Sequence, residues 1–274
     1  MLSAIGIGAG RFRAGQGQPG QLAYNVPEDF AEAVSRLSRA PGDYRILSVH
    51  YGQELQVAPD AADVRKLRDE AVRGAGIDVV VGHHAHVAAG VQEIDGRLVF
   101  YGLGNFLHLG TMDMSRFGIC RDYGLTARLH LTRRADGHLA ARAIEVVPLT
   151  GMHMRPTRLA PAAATLRVHV LNHLAAGLDA PAAKARGVRF VPRADGSGLH
   201  CLPGAEREAG RIGELCAGWA EPTQPASNLV QQIAGACGRT DAVAARPSTS
   251  KAGARRGGAP AGGPFSLLSG LLLP

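Results

Sequence analysis

Two short apolar runs, each leading into a histidine, flank an amphipathic helix pattern and constrain the fold most strongly. Residues 45–49 end at His50, and residues 77–81 lead through one glycine into His83. Between them, residues 60–73 place apolar side chains on one helical face and charged ones on the other. Continuous apolar strands around a helix are typical of parallel strands that are covered on both faces. We therefore predict a β-α-β unit of an α/β fold.

The flanking sequence adds helices and hairpins to this unit. Pro27, followed by two acidic residues, predicts the start of a helix. Asp95-Gly96 and Asp136-Gly137 are turn signals, so we expect a hairpin around each. The hairpin strands are expected over residues 91–94, 97–101, 125–131 and 139–147, and two later helices over residues 162–174 and 206–219. The predicted fold class is α/β: a layered α/β sandwich with β-hairpins after the parallel strands.

Composition divides the chain into three regions. The 274 residues, 46% of them hydrophobic, suffice for one sizeable core. From about residue 223 the chain is rich in Gly, Ala and Pro, and it is expected to be disordered because so little apolar surface cannot offset the ordering entropy. We expect an α/β domain portion over residues 1–155, a poorly defined helical and loop extension over 156–222, and a disordered basic tail over 223–274.

Several classes of function are disfavoured. The first 150 residues balance their charges, so the net charge of +7 comes from the remainder, and with 5% aromatic residues nucleic-acid binding is not expected. No apolar run approaches the ~18 residues that span a bilayer, and the first residues lack the pattern of a secretory signal. The four cysteines form no C-x-x-C pair, which disfavours a zinc ribbon or redox motif and leaves disulfides open. Gly6-Ile7-Gly8 is not preceded by a predicted strand, which argues against a nucleotide loop.

Four histidines follow the two predicted parallel strands. His50 follows the first, and His83, His84 and His86 follow the second. The carboxyl ends of parallel strands meet at one edge of a sheet, where α/β proteins build their sites. Because imidazole is the commonest metal ligand in proteins, the pattern favours metal or phosphate chemistry over a structural hydrogen-bond network. His83 suits this role least, because adjacent histidines cannot all face one cavity.

Two polar residues near this cluster leave alternatives open. Asn105, after a third strand pattern, either orients a ligand or shapes a turn. Glu54, four residues after His50, is either a carboxylate that supports the ligands or an acid at a helix entry. The remaining histidines have no clustered context, and His130 and His138 are expected at the surface.

Three segments together resemble the bacterial capsule synthesis protein CapA family, which is associated with poly-γ-glutamate capsule biosynthesis. They are SVHYGQE at residues 48–54, GIDVVVGHHAHV at 76–87 and YGLGNF at 101–106, in the family's order and at its usual spacing. The resemblance covers roughly residues 20–150. It implies a fold similar to that of calcineurin-like metallophosphoesterases, with a two-metal site at the strand ends.

The resemblance also implies roles for single residues. His50 matches the histidine that ligates the second metal, His84 the first histidine of the H-x-H motif on that metal, and His86 the last, on the first metal. Asn105 matches the asparagine of the family's S-L-G-N-F segment, in which Gly102 replaces serine here. The implied catalytic residues are His84 and Asn105, and the implied cofactors are divalent ions such as Mn, Zn or Fe. The implied partners are capsule or poly-γ-glutamate synthase components, or the polymer.

The chain departs from the family's pattern upstream of the first histidine. Family members carry a Gly-Asp strand end, an Asn-Leu-Glu segment and an Asn-Asn-His segment, which supply the carboxylate that bridges the metals, and none precedes residue 45. We expect from this the C-terminal portion of such a domain, left by a truncation or a late start codon or completed by a partner chain.

Two functions follow as alternatives. One is a capsule or poly-γ-glutamate biosynthesis protein with a metallophosphoesterase-like divalent-metal site, active as a hydrolase if the missing ligands are supplied. The other is a non-catalytic envelope scaffold, or an inactive fragment, that assists a polymer synthase or exporter. A complete member of the family is expected in the cell envelope, and this chain as it stands in the cytoplasm.

Overall fold

The computed structural model of the chain describes residues 2–5, 13–15, 17, 19–109 and 112–238. The helices in this part are α1 (Pro27–Arg39), α2 (Ala61–Lys66), α3 (Pro161–Ala176), α4 (Arg211–Cys216) and α5 (Ser227–Cys237), with a π-helical segment (Leu67–Gly74) that continues α2. Short 3-10 turns lie at Met114–Phe117, Pro181–Ala183 and Ala205–Arg207. The strands are β1 (Leu2–Ile5), β2 (Ile46–Tyr51), β3 (Val79–His84), β4 (Val91–Ile94), β5 (Arg97–Phe100), β6 (Gly124–Arg133), β7 (Leu139–Thr150), β8 (Thr157–Arg158), β9 (Ala185–Gly187), β10 (Val191–Pro192) and β11 (Gly198–Cys201).

A six-stranded sheet in the order β1-β2-β3-β5-β4-β9 carries the predicted β-α-β unit. In this order β1, β2, β3 and β5 run parallel, and β4 and β9 are antiparallel to their neighbours. α1 begins at Pro27 with acidic residues in its first turn, as predicted. The helix expected over residues 60–73 is α2 with its π-helical continuation, which buries Leu67, Ala71 and Val72.

A second sheet contains β6, β7, β8, β10 and β11. Its order is β10-β11-β7-β6, and β8 pairs with Leu149 and Thr150 at the end of β7. The long hairpin β6–β7 surrounds Asp136-Gly137, and the hairpin β4–β5 surrounds Asp95-Gly96, so both predicted hairpins are confirmed. α3 confirms the helix expected over residues 162–174, whereas residues 206–219 form the end of a 3-10 turn and then α4 rather than one helix.

The core lies on both faces of the first sheet. On one face, Phe30 of α1 and Leu67 of the π-helical segment pack in one cluster with Leu47 of β2. On the other face, Leu98 of β5 packs in a cluster that includes Ile144 of β7 and side chains of α3. Each of these fully buried side chains contributes about 1.5–3 kcal/mol relative to exposure. The result is the layered α/β sandwich that the sequence predicts, because apolar clusters pack against both faces of the central sheet.

Two expectations about the ends of the chain were wrong. The strand β1 precedes Gly6 and pairs in parallel with β2, although no strand was expected there. Gly6 and the two residues after it lie outside the described residues. Residues 227–237, assigned from composition to a disordered tail, form α5 with Ile233 buried. The remainder of that predicted tail, residues 239–274, also lies outside the described part of the chain.

All four cysteines form disulfides, which their spacing in the sequence had left open. Cys120 pairs with Cys237, and Cys201 pairs with Cys216, so the chain has no free thiol. The first disulfide ties α5 to the loop before β6, and the second ties α4 to the end of β11. Over the residues described, no helix has the length and apolar character needed to cross a bilayer.

Candidate metal centre

The parallel pairing of β2 and β3 brings the predicted histidines together. In the register of these strands, His50 lies beside His83 and Tyr51 beside His84. Neighbouring strands are about 4.8 Å apart, and the ring centroids of His50 and His84 are 4.7 Å apart. The proximity expected for residues at the two strand ends is therefore confirmed.

The two ring nitrogens of His83 contact Ser48 and His50. Its Nε2 lies 2.8 Å from the Ser48 hydroxyl oxygen, and its Nδ1 lies 2.9 Å from Nδ1 of His50. Both ring nitrogens are therefore occupied within the sheet. This agrees with the expectation that His83 is the histidine least suited to face a shared cavity.

The backbone around His84 and His86 is held in an unusual conformation. His84 has a φ of 99° and His86 a φ of 61°, both in the left-handed region that non-glycine residues rarely adopt. Such residues persist only where the surrounding structure holds them, and they cluster at functional sites. Gly82 permits the close approach before them, because a Cβ there would lie 2.5 Å from the Tyr101 carbonyl oxygen. The two rings can thus share one side of the strand end, with centroids 5.9 Å apart.

Glu54 joins these two histidines. One donor atom each from Glu54, His84 and His86 lies within 4.8 Å of the other two. The backbone N–H of Leu55 donates to the carbonyl oxygen of Ala85 at 2.8 Å, which fixes the loop that carries Glu54 against the loop that carries the histidines. The sequence left Glu54 as either a supporting carboxylate or an acid at a helix entry. The structure groups its carboxylate with the ring nitrogens of His84 and His86.

Asn105 and His108 surround the far side of His86. Oδ1 of Asn105 lies 2.8 Å from Nδ1 of His86, so the amide oxygen accepts a hydrogen bond when that nitrogen is protonated. His108 stacks on His86 with ring centroids 4.9 Å apart and an angle of 11° between the rings. Sequence reasoning left His108 unassigned, although its position three residues after Asn105 was a usable signal.

The other histidines lie outside this centre. The side chain of His130 is 10% exposed and contacts Glu145 at 2.8 Å, so the expectation that it is a surface residue was wrong: the hairpin folds it against β7. His138 is exposed, as expected.

Burial favours the neutral form of His50, His83 and His84. Desolvation, followed by the neighbouring histidines, lowers the pKa of His50 from 6.5 to about 4. Burial also lowers the pKa of His83 and of His84, and for His84 the nearby Glu54 opposes this shift. Neutral imidazole is the form that ligates a metal. At pH 7 these side chains therefore offer lone pairs rather than positive charges.

The donor set fits a divalent transition-metal ion. Two imidazoles and one carboxylate suit zinc, manganese or iron, and Glu54 is exposed, so the group opens towards solvent on one side. His50 lies beside this group but is not one of its three members. The contacts of Asn105 with His86, and of His83 with His50, are the kind that orient ligating histidines in metal proteins.

Large apolar side chains border the centre on the side of Asn105. The loop that follows it exposes Phe106 (63%), Leu107 (51%), Leu109 (69%) and Met112 (42%), and the neighbouring turn exposes Met154 (72%). The two loops are joined by the N–H of His108, which donates to the carbonyl oxygen of Met152 at 2.8 Å. An apolar rim therefore lies next to the polar centre.

Comparison with known proteins matches the part of the chain that builds this centre. Residues 7–109 match the family described as bacterial capsule synthesis protein PGA_cap. The "PGA biosynthesis protein CapA" of Bacillus subtilis (strain 168) is 34% identical over 135 residues, which cover 49% of this chain and 33% of that protein. The "Capsule biosynthesis protein CapA" of Bacillus anthracis is 30% identical over 93 residues, which cover 33% of this chain and 22% of that protein.

The matched part of the chain thus spans a third or less of the length of these curated relatives. His50, Glu54, His84, His86 and Asn105 all lie within residues 7–109. Together, the family match and the two relatives confirm the resemblance of this chain to the bacterial capsule synthesis protein CapA family.

Proposed function

We propose that this chain acts in capsule or poly-γ-glutamate biosynthesis and holds a divalent metal ion through Glu54, His84 and His86, with His50 as a further ligand. The observation that carries the metal site is the 4.8 Å grouping of a carboxylate with two imidazoles at the carboxyl ends of parallel strands. The family match and the names of the two relatives support the pathway.

The protein's own residues supply binding and orientation. A bound divalent ion would supply Lewis-acid chemistry: activation of a water molecule and stabilisation of charge on a phosphate oxygen. Asn105 holds the ring of His86 through Nδ1, so that Nε2 of that ring is directed elsewhere. We assign the contact with substrate to His84 and Asn105, which the family resemblance implies are catalytic. The position of His84 beside Glu54 and the contact of Asn105 with His86 support this assignment.

The test of the site is metal content. We expect the purified full chain to bind Mn²⁺ or Zn²⁺ at about one ion per chain, measured by mass spectrometry of the metal and by titration calorimetry. The triple variant H50A/H84A/H86A should lose this binding. His138→Ala is the matched control, because it removes an exposed histidine outside the centre. A triple variant that keeps the full metal content would refute the assignment.

The alternative, a non-catalytic envelope scaffold that assists a polymer synthase or exporter, is favoured by one observation. The apolar rim exposes five large side chains beside the centre, as expected for a surface that contacts a protein partner. The two functions differ in chemistry. Hydrolysis of a generic phosphoester by the full chain, abolished by a chelator and restored by Mn²⁺, supports the hydrolase; metal binding without any hydrolysis supports the scaffold.

A further inference from the structure

Ser48, His83 and His50 form a short hydrogen-bonded chain across β2 and β3. Ser48 is buried on β2, and its hydroxyl oxygen lies 2.8 Å from Nε2 of His83 on the adjacent strand. The other nitrogen of that ring, Nδ1, lies 2.9 Å from Nδ1 of His50. Each ring nitrogen of His83 therefore has a partner, and the ring connects a buried hydroxyl group to His50 at the candidate metal centre.

The short contact between the two Nδ1 atoms restricts where hydrogen can sit. A neutral imidazole has one N–H donor and one acceptor nitrogen, and a hydroxyl group can donate or accept. Between two neutral rings, one Nδ1 must carry hydrogen and the other must accept it. Only two arrangements of the chain satisfy both contacts.

In the first arrangement, His50 donates from Nδ1 to Nδ1 of His83, and His83 donates from Nε2 to the oxygen of Ser48. Nε2 of His50 then has a free lone pair. In the second arrangement every bond is reversed: Ser48 donates to His83, His83 donates to His50, and His50 carries its hydrogen on Nε2. A nitrogen that carries hydrogen cannot ligate a metal, so only the first arrangement makes His50 a ligand.

We propose that Ser48 and His83 are positioning residues that hold His50 in the tautomer with hydrogen on Nδ1 and leave its Nε2 as a metal donor. His83 is then not a metal ligand, and the buried oxygen of Ser48 accepts the last hydrogen bond of the series. We call this series, from His50 through His83 to Ser48, the relay. This inference rests on the proposed role of His50 in metal binding. It assigns a function to the histidine that the strand-end pattern left without one.

Two matched pairs of variants test the relay. Ser48→Ala removes the terminal acceptor, so the hydrogen of His83 should move from Nε2 to Nδ1, and His50 must then carry its own hydrogen on Nε2. Ser48→Thr keeps the hydroxyl group. His83→Leu removes the acceptor for His50, whereas His83→Asn keeps an oxygen near the position of Nδ1. We expect Ser48→Ala and His83→Leu to weaken Mn²⁺ or Zn²⁺ binding by about 10–100-fold. Ser48→Thr and His83→Asn should stay close to the wild type.

A second readout does not depend on metal. A two-bond ¹H–¹⁵N correlation spectrum of the metal-free protein distinguishes the two tautomers of His50, whose signals are assigned from their loss in His50→Asn. We expect hydrogen on Nδ1 in the wild type and in Ser48→Thr, and on Nε2 in Ser48→Ala. Ser197→Ala, which removes another buried hydroxyl group far along the chain, is the control for general loss of stability.

The outcomes separate the relay from the metal site. A wild type with hydrogen on Nε2 of His50, or Ser48→Ala and His83→Leu variants with wild-type metal affinity, would overturn the relay. A wild type that binds no divalent ion would instead refute the proposed function, and the tautomer of His50 in the metal-free protein would still decide whether Ser48 and His83 set it.

Discussion

The backbone N–H of Leu55 donates to the carbonyl oxygen of Ala85 at 2.8 Å, across two loops that leave different strands of the sheet. Leu55 adopts a φ of 62°, in the left-handed region, and its carbonyl oxygen accepts from Nε of Arg121 at 2.9 Å. Each loop thereby fixes the other. Because Glu54 directly precedes Leu55, and His84 and His86 flank Ala85, this one bond brings the carboxylate to the imidazoles.

The first prediction concerns the carboxylate of Glu54. Glu54→Gln keeps the size of the side chain but removes its charge, and we expect the affinity for Mn²⁺ or Zn²⁺ to fall by about 100-fold or more, since loss of a supporting residue alone costs 10–100-fold. Titration calorimetry measures this change. Glu70→Gln, at another exposed glutamate, should have no effect. Equal affinity of the Glu54 variant and the wild type would place Glu54 outside the ligand group.

The second prediction concerns Gly104, which precedes Asn105. Its φ is +69°, and a Cβ there would lie 3.0 Å from the Tyr123 carbonyl oxygen and 3.1 Å from the Ala88 nitrogen. Gly104→Ala should lower the free energy of unfolding by about 2 kcal/mol or more, from backbone strain of about 1–2 kcal/mol and the close contacts. Gly137, with a φ of +85° and open space around it, provides the control, because Gly137→Ala carries the strain alone. Urea unfolding should show a larger loss for Gly104→Ala; equal losses would contradict the close packing.

The third prediction concerns the two disulfides. The Cys120–Cys237 bond closes a sequence separation of 117 residues, and the Cys201–Cys216 bond one of 15. If cross-links act mainly by restricting the unfolded chain, replacing the first pair by serine should cost about 4–5 kcal/mol and replacing the second about 3 kcal/mol. Denaturant unfolding of both double variants tests the order.

These bonds do not fit the expected cytoplasmic location of this chain, since disulfides persist in oxidising environments and are rare in the cytosol. Thiol counting on the denatured, unreduced protein checks that the bonds form. Four reactive thiols in protein purified from oxidising conditions would show that they do not.

The fourth prediction concerns pH and His200. This side chain is 1% exposed, and burial lowers its pKa below 6.5. The unfolded chain protonates this histidine near pH 6.5, whereas the folded protein does so only at a lower pH. Below pH 6.5 the unfolded state therefore binds more protons than the folded state. Stability should therefore fall as the pH drops below 6.5 towards the folded pKa, by at most about 1.4 kcal/mol per pH unit for this group.

His200→Asn isolates this contribution. The side-chain amide of asparagine can donate to the Arg189 carbonyl oxygen in place of Nδ1, and it cannot take up a proton. Denaturant unfolding at pH 7.5 and pH 5.5 should show a smaller pH dependence for the variant, whatever its absolute stability. Identical dependence in both proteins would mean that His200 is not the group responsible.

Much of the fold could be predicted because its signals are local. The apolar runs before His50 and His83 indicate buried strands, Asp95-Gly96 and Asp136-Gly137 indicate hairpin turns, and both features depend on neighbouring residues alone. The proximity of His50 and His84 was also predictable, since parallel strands that flank one helix end at the same edge. Composition was a weaker guide: it assigned Ile233 to a disordered tail, although a helix there is tied to Cys120 by its last residue, Cys237.

The sequence by itself determined the helices and strands of this protein and which strand ends carry its histidines. The spacing of apolar residues and the residues that favour turns are both local features, which depend on a few neighbouring positions. Only the tertiary structure decided that Glu54 joins His84 and His86, that His83 turns to Ser48, and which cysteines pair. These relationships depend on left-handed backbone at single residues and on contacts between distant segments. Such contacts form only when the layers pack, so no local pattern in the chain encodes them.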